Sequence, residues 1–247
     1  MNNKREFEVL WTGGFDSTFR ICQLSRMDVI ITPYYLCNNR PSEPNELNAM
    51  NTIRTKLLND PRTKATINPL VYVPVESRKT NEAVSDAYRR LRQVEYMGTQ
   101  YEFLGVFALD HEEIELMVTG GGRIKTIIEK HGALKEVKDE YGDYYIVDKE
   151  NSEPDICELF GHYHFPVMAY TKPEMKKKYI EMGLEDIIND TWFCFVPING
   201  KPCGICNPCR CTIEEGMIER FSDAAIRRYI LAKNADKKQE EVQSMDN

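Results

Sequence analysis

Val9-Leu10-Trp11-Thr12-Gly13-Gly14-Phe15-Asp16-Ser17-Thr18 joins an apolar strand to a helix through two adjacent glycines. The strand covers Phe7 to Trp11. The helix runs over residues 15–25, with Phe15, Phe19, Ile21, Cys22 and Leu24 at its apolar positions. Paired glycines let the backbone close on a ligand without a Cβ clash. The free N–H groups of such a turn, and of the first helical turn after it, form a nest for an anion. Thr12, Ser17 and Thr18 add hydroxyl groups, and Asp16 adds a carboxylate able to hold magnesium. A strand–turn–helix junction can use glycine for geometry alone, but the hydroxyls and the carboxylate on the same turn favour a nucleotide. No Gly-Lys-Ser/Thr follows, so this is not a Walker A loop, and the third glycine of a dinucleotide fingerprint is missing.

Outward from the loop, strands alternate with helices. Val29 to Leu36 reads as a second strand, with Pro33 an expected irregularity. A helix over Glu46–Leu58, a strand over Leu70–Val73, helices over 81–94 and 101–109, and a strand over Ile114–Val118 ending in Gly120-Gly121-Gly122 complete the pattern. That alternation predicts an α/β fold with a parallel sheet flanked by helices. Residues 133–148 read as a polar hairpin with no assigned place on the sheet. Thr171 and Glu174 have the spacing of a capping box opening another helix. His162 and His164 flank Tyr163 on one face of a strand and read as surface residues. Three regions are expected: an α/β domain over 1–190, a cysteine-rich segment with short helices over 191–233, and a disordered polar tail over 234–247.

Of the 247 residues, 39 are acidic and 32 basic, for a net charge of -7. That balance disfavours non-specific binding to nucleic acid or an anionic membrane. The N-terminal residues hold no apolar stretch fit for a signal peptide, and no run is apolar enough for a membrane span. The expected location is the cytoplasm, where disulfides are rare. Eight cysteines then need another use, and five crowd between Cys194 and Cys211. Cys203, Cys206 and Cys209 make two overlapping C-x-x-C steps, and Cys194 can return as a fourth thiolate. Zinc suits such a set, and an iron–sulfur cluster uses similar ligands. Cys211 reads as a spare packing residue, and Cys22, Cys37 and Cys157 as isolated core residues.

The loop resembles the PP-loop of the ATP pyrophosphatase superfamily, whose usual form is Ser-Gly-Gly-x-Asp-Ser, with Thr12 in place of the first Ser. Together with Cys-(x8)-Cys-Gly-x-Cys-x-x-Cys at 194–209, the chain resembles the 7-cyano-7-deazaguanine synthases. Thr171-Lys172-Pro173-Glu174 looks like that family's lysine-containing helix start. The resemblance implies an adenine nucleotide α-hydrolase-like fold with a C-terminal zinc segment, a homodimer, and the cofactors ATP, Mg2+ and Zn2+. It implies that Thr12 to Thr18 bind the nucleotide, that Asp16, Ser17 and Lys172 serve the reaction, and that Cys194, Cys203, Cys206 and Cys209 hold the metal. The implied reaction is ligation: a substrate carboxylate attacks the α-phosphorus, ammonia displaces AMP to give an amide, and a second adenylation yields the nitrile.

Three stretches depart from the family. Gly98-Thr99-Gln100 stands where Gly-Arg-Asn is usual, Thr212 where an arginine is usual, and Gly120-Gly121-Gly122-Arg123 in place of the usual substrate loop. These changes allow a relative recruited to another carboxylate or amide, on a protein or nucleic acid. A tRNA-thiolating PP-loop enzyme is a further alternative, with Cys22 and Cys37 as its candidate sulfur carriers. A non-catalytic nucleotide-sensing module is the last.

Overall fold

The computed structural model describes residues 4–245. In chain order its elements are β1 (Glu6–Leu10), α1 (Phe15–Ser25), β2 (Ile30–Leu36), α2 (Glu43–Asn59), β3 (Thr66–Ile67), β4 (Val71–Val73), α3 (Glu82–Val94), α4 (Gln100–Ala108) and β5 (Ile114–Glu115). There follow α5 (Arg123–His131), β6 (Leu134–Asp139), β7 (Gly142–Val147), α6 (Pro154–Phe160), β8 (Tyr163–His164), α7 (Lys172–Glu181), α8 (Ile187–Asp190), α9 (Asn207–Glu214) and α10 (Asp223–Met245).

The main sheet has the order β3-β2-β1-β5-β8, with β4 also beside β2, and every pairing in it is parallel. It is the α/β architecture expected from the alternation. Phe7, Val9 and Trp11 pack on one face with residues of α1, α2 and α7, while Leu10 packs on the other with residues of α3 to α6. Coverage on both faces explains why Val9, Leu10 and Trp11 are consecutive buried apolar residues, while Glu6 and Glu8 earlier in β1 are not buried. Pro33 has no N–H, and it falls where β2 changes its second neighbour from β3 to β4. The chain leaves β1 toward β2 on one side and returns to β5 on the other. This reversal opens a crevice at the carboxyl end of β1, the usual ligand position in such sheets.

Residues 134–147 form an antiparallel two-stranded sheet, β6 with β7. It docks on the main sheet's edge, where Tyr145 and Phe165 exchange backbone hydrogen bonds of 3.3 and 2.9 Å. The capping box at Thr171 and Glu174 is present. The strand expected over 114–118 pairs only at Ile114 and Glu115; Leu116 N completes that parallel ladder by donating to the His164 carbonyl at 2.9 Å, and the chain then turns as Val118 N closes on the Leu116 carbonyl at 3.1 Å. The last helix runs to Met245, past the Lys233 end expected from sequence. Ala, Lys, Gln and Glu over 232–241 are strong helix formers, and their polarity alone did not break the helix. Residues 246–247 of the expected tail lie outside the described residues. Among the described residues no helix is long and apolar enough to cross a membrane.

Candidate nucleotide and metal site

The turn at residues 12–14 sits at the carboxyl end of β1. Gly13 has φ +67, and a Cβ there would lie 2.9 Å from the Glu46 carbonyl oxygen, so only glycine fits without strain. Gly14 is the N-cap of α1 and offers no side chain, which leaves the first helical N–H groups uncapped by the chain itself. Thr12 N and Oγ1 each lie 3.3 Å from Ser17 Oγ, which ties the two ends of the loop together. Thr18 turns away: it is fully buried, and its Oγ1 accepts from the Trp11 indole at 2.9 Å. Its hydroxyl therefore serves the core. Phe15 packs its ring on Tyr179 at 5.3 Å and accepts from the Tyr179 hydroxyl through its carbonyl.

Asp16 is the loop's chemical anomaly. Its Oδ1 is buried and has no hydrogen-bond partner. Burial raises its carboxyl above the ordinary aspartate value, the Lys172 ammonium opposes that rise, and Glu215 adds to it. An acceptor without a donor, beside the uncapped N–H groups that open α1, fits a divalent cation with an anionic ligand. Lys172, at the first position of α7, lies 2.9 Å from Glu215 and borders the same cleft as Asp16.

Two clefts meet at the loop. A narrow one of about 260 Å³ is walled by Tyr34 and Leu36 at the end of β2, by Phe103 on α4 and by Leu116, Met117 and Val118 beyond β5. A wide one of about 660 Å³ runs from the loop to the cysteine segment, past Lys172, Trp192, Phe193, Thr212 and Arg220. A third, of about 380 Å³, joins Asp16 to Gly98, Gln100, Gly122 and Arg123.

The four cysteines named from spacing converge. The Sγ atoms of Cys194, Cys203, Cys206 and Cys209 all lie within 4.8 Å of one another. The Cys203–Cys209 and Cys194–Cys206 sulfurs are 3.8 and 3.9 Å apart. Zinc–sulfur bonds of about 2.3 Å in a tetrahedron set its edges at about 3.8 Å. The group could hold a single metal ion such as zinc. A polynuclear iron–sulfur cluster fills its own centre and would spread the thiolates further. Backbone N–H groups of Cys203, Ile205 and Cys206 point at the sulfurs of Cys194 and Cys203 at 3.2 to 3.4 Å. A hydrogen bond from Cys209 lowers the Cys206 thiol to about 4, while Cys209 is pushed up and burial raises Cys194 to about 11. A thiolate at Cys206 thus opposes ionisation of Cys194 and Cys209, and a cation among the sulfurs would relieve that opposition. Gly204, with φ +85, makes the turn between Cys203 and Cys206 beneath α10, where a Cβ would clash with the Ala225 carbonyl.

The metal group and the loop are directly joined. Trp192 N donates to the Gly13 carbonyl at 2.8 Å, and the Trp192 indole donates to the Cys194 carbonyl at 2.7 Å. Arg40 and Arg220 also border the wide cleft, though no local pattern in the sequence marks either one. Arg220 stacks on Phe193 at 4.6 Å and donates to the Thr191 carbonyl. Cys211 is no ligand, and it borders the cleft. His164 stacks on Tyr144 at 4.5 Å, away from the loop. No protein-family model matches the chain, and no curated protein matches it significantly.

Proposed function

We propose that the chain is an ATP-using ligase of the PP-loop type, similar to the 7-cyano-7-deazaguanine synthases. In this reading it has their adenine nucleotide α-hydrolase-like fold. The single observation that carries the reading is the orphaned Asp16 carboxylate on a glycine nest at the sheet's switch crevice, with Lys172 across the cleft. Adenine occupies the narrow cleft against Leu36 and Leu116–Val118. The β- and γ-phosphates lie on the N–H groups after Gly13 and on Ser17, and Lys172 supplies a cation at their far side. A magnesium ion held by Asp16 would neutralise phosphate charge. The carboxylate substrate enters beside the loop, and its oxygen displaces pyrophosphate from the α-phosphorus. Ammonia then displaces AMP. Catalysis of this kind is positioning and charge stabilisation, and it needs no cysteine nucleophile.

The test is incubation with ATP, magnesium, ammonia and 7-carboxy-7-deazaguanine, followed by mass analysis. The expected products are the nitrile, AMP and pyrophosphate. A chain that binds no nucleotide, or binds it with Gly13→Ala as tightly as without, contradicts the reading.

A specific observation favours a second substrate. Gly98, Gln100, Gly122 and Arg123 border the third cleft, and Thr212 the wide one. The departures from the family thus gather where a second substrate would lie, which supports a relative acting on a different carboxylate or amide. ATP binding without nitrile formation is its expected signature. Thiolation has less support: Cys22 and Cys37 are buried and border neither cleft at the loop.

A further inference from the structure

The narrow and wide clefts share five residues: Thr12, Gly14, Phe15, Asp16 and Arg40. Four belong to the loop. The fifth comes from the connection between β2 and α2, and among the described residues it is the only lysine or arginine bordering both clefts. Its guanidinium is held in place. Nη2 lies 3.2 Å from Glu46 Oε2, and the buried Glu46 carboxylate also accepts from the Tyr35 hydroxyl and Ser42 Oγ, each at 2.7 Å. Arg40 Nε, by contrast, is buried and has no acceptor. A guanidinium anchored at one edge and unsatisfied at another is set to receive an anion.

The geometry points to Arg40 as the ligand of the phosphate at this junction, the α-phosphate that links the nucleoside in the narrow cleft to the pyrophosphate on the loop. This assignment rests on the nucleotide reading and adds to it the residue that faces the reacting phosphorus. In the step it serves, a bond forms from the substrate carboxylate oxygen to the α-phosphorus. The bond from that phosphorus to the pyrophosphate oxygen breaks, and its electron pair leaves with the pyrophosphate. No proton moves. Charge gathers on the non-bridging α-oxygens, and a guanidinium already fixed by Glu46 meets it without reorganising. Glu46 acts through Arg40 and is a positioning residue.

Equilibrium binding of magnesium-ATP, AMP, adenosine and pyrophosphate to the wild-type chain, Arg40→Met and Arg40→Lys tests this. Arg40→Met is expected to weaken ATP and AMP about tenfold and to leave adenosine and pyrophosphate within about twofold, with Arg40→Lys recovering part of the loss. An unchanged AMP affinity in Arg40→Met overturns the assignment and leaves the nucleotide reading standing. Equal loss of all four ligands in both variants overturns it in favour of a purely structural role. A wild-type chain that binds none of the four removes both ideas together.

Discussion

Asp16 shows how a single side chain can oppose folding while serving a site. Its carboxyl titrates above the ordinary value because burial penalises the ionised form. A carboxyl raised in the folded state contributes most stability at low pH. That contribution is lost as the pH climbs from the unfolded value through the folded one. Asp16→Asn removes the loss. We expect the variant to be more stable than wild type by about 1 kcal/mol at neutral pH, with the gap closing below about pH 4, where an aspartate is protonated in either state. It should also lose magnesium-dependent nucleotide affinity. Urea titrations at two pH values with parallel calorimetry check both halves, and equal stability at neutral pH would show that the orphaned oxygen costs nothing. The convergence of the four cysteines was legible because they belong to a short spacing pattern, and so was the turn that carries Asp16 and Ser17. The sequence did not announce Arg40 or Arg220, whose meaning lies in neighbours far along the chain.

Among the elements, β1, the turn and α1 were legible nearly to the residue, since glycine chemistry and apolar periodicity agree there. The strand read at His162–His164 is present as β8, but the two-residue strand β3 was not legible, nor were α5 and α6, because elements that short are held by what they pack against more than by their own propensity. The pairing that locks α1 to the sheet was equally invisible. Arg20 on α1 and Glu115 on β5 are 4 % and 3 % exposed, with Nη2 and Oε1 2.6 Å apart. Arg20 Nη1 adds a bond to the Tyr141 carbonyl in the β6–β7 connection, so one guanidinium ties helix, sheet and hairpin together. Removing one member strands the other's charge. Glu115→Ala is therefore expected to lower the unfolding free energy by about 3 kcal/mol, read from the denaturation midpoint at unchanged slope. A cost under about 1 kcal/mol would show that water reaches Arg20 and that the pair does not fasten the loop's helix.

At the scale of the molecule, the four-cysteine group and the glycine loop share one strap. Thr191 to Cys194 leads from α8 into the first metal ligand, and on the way its Trp192 N–H closes on the Gly13 carbonyl. Its far end is clamped by Cys194, and the turn between Cys203 and Cys206 is held by Arg228, whose Nε donates to the Cys203 carbonyl at 2.8 Å. A metal that fixed Cys194 would thus limit the positions open to Gly13, the residue whose φ of +67 shapes the turn proposed to take the phosphates. Coupling of this kind is reciprocal. Stripping zinc with a chelator should weaken magnesium-ATP binding about tenfold, and saturating ATP should retain zinc against the same chelator by a like factor. The tie runs through a main-chain donor, so Trp192→Phe should keep the coupling and Trp192→Pro, which has no N–H, should lose it. Circular dichroism of the stripped chain separates coupling from collapse: if its α/β signal is intact and its ATP affinity equals that of the zinc-loaded chain, the strap carries no information between the two sites.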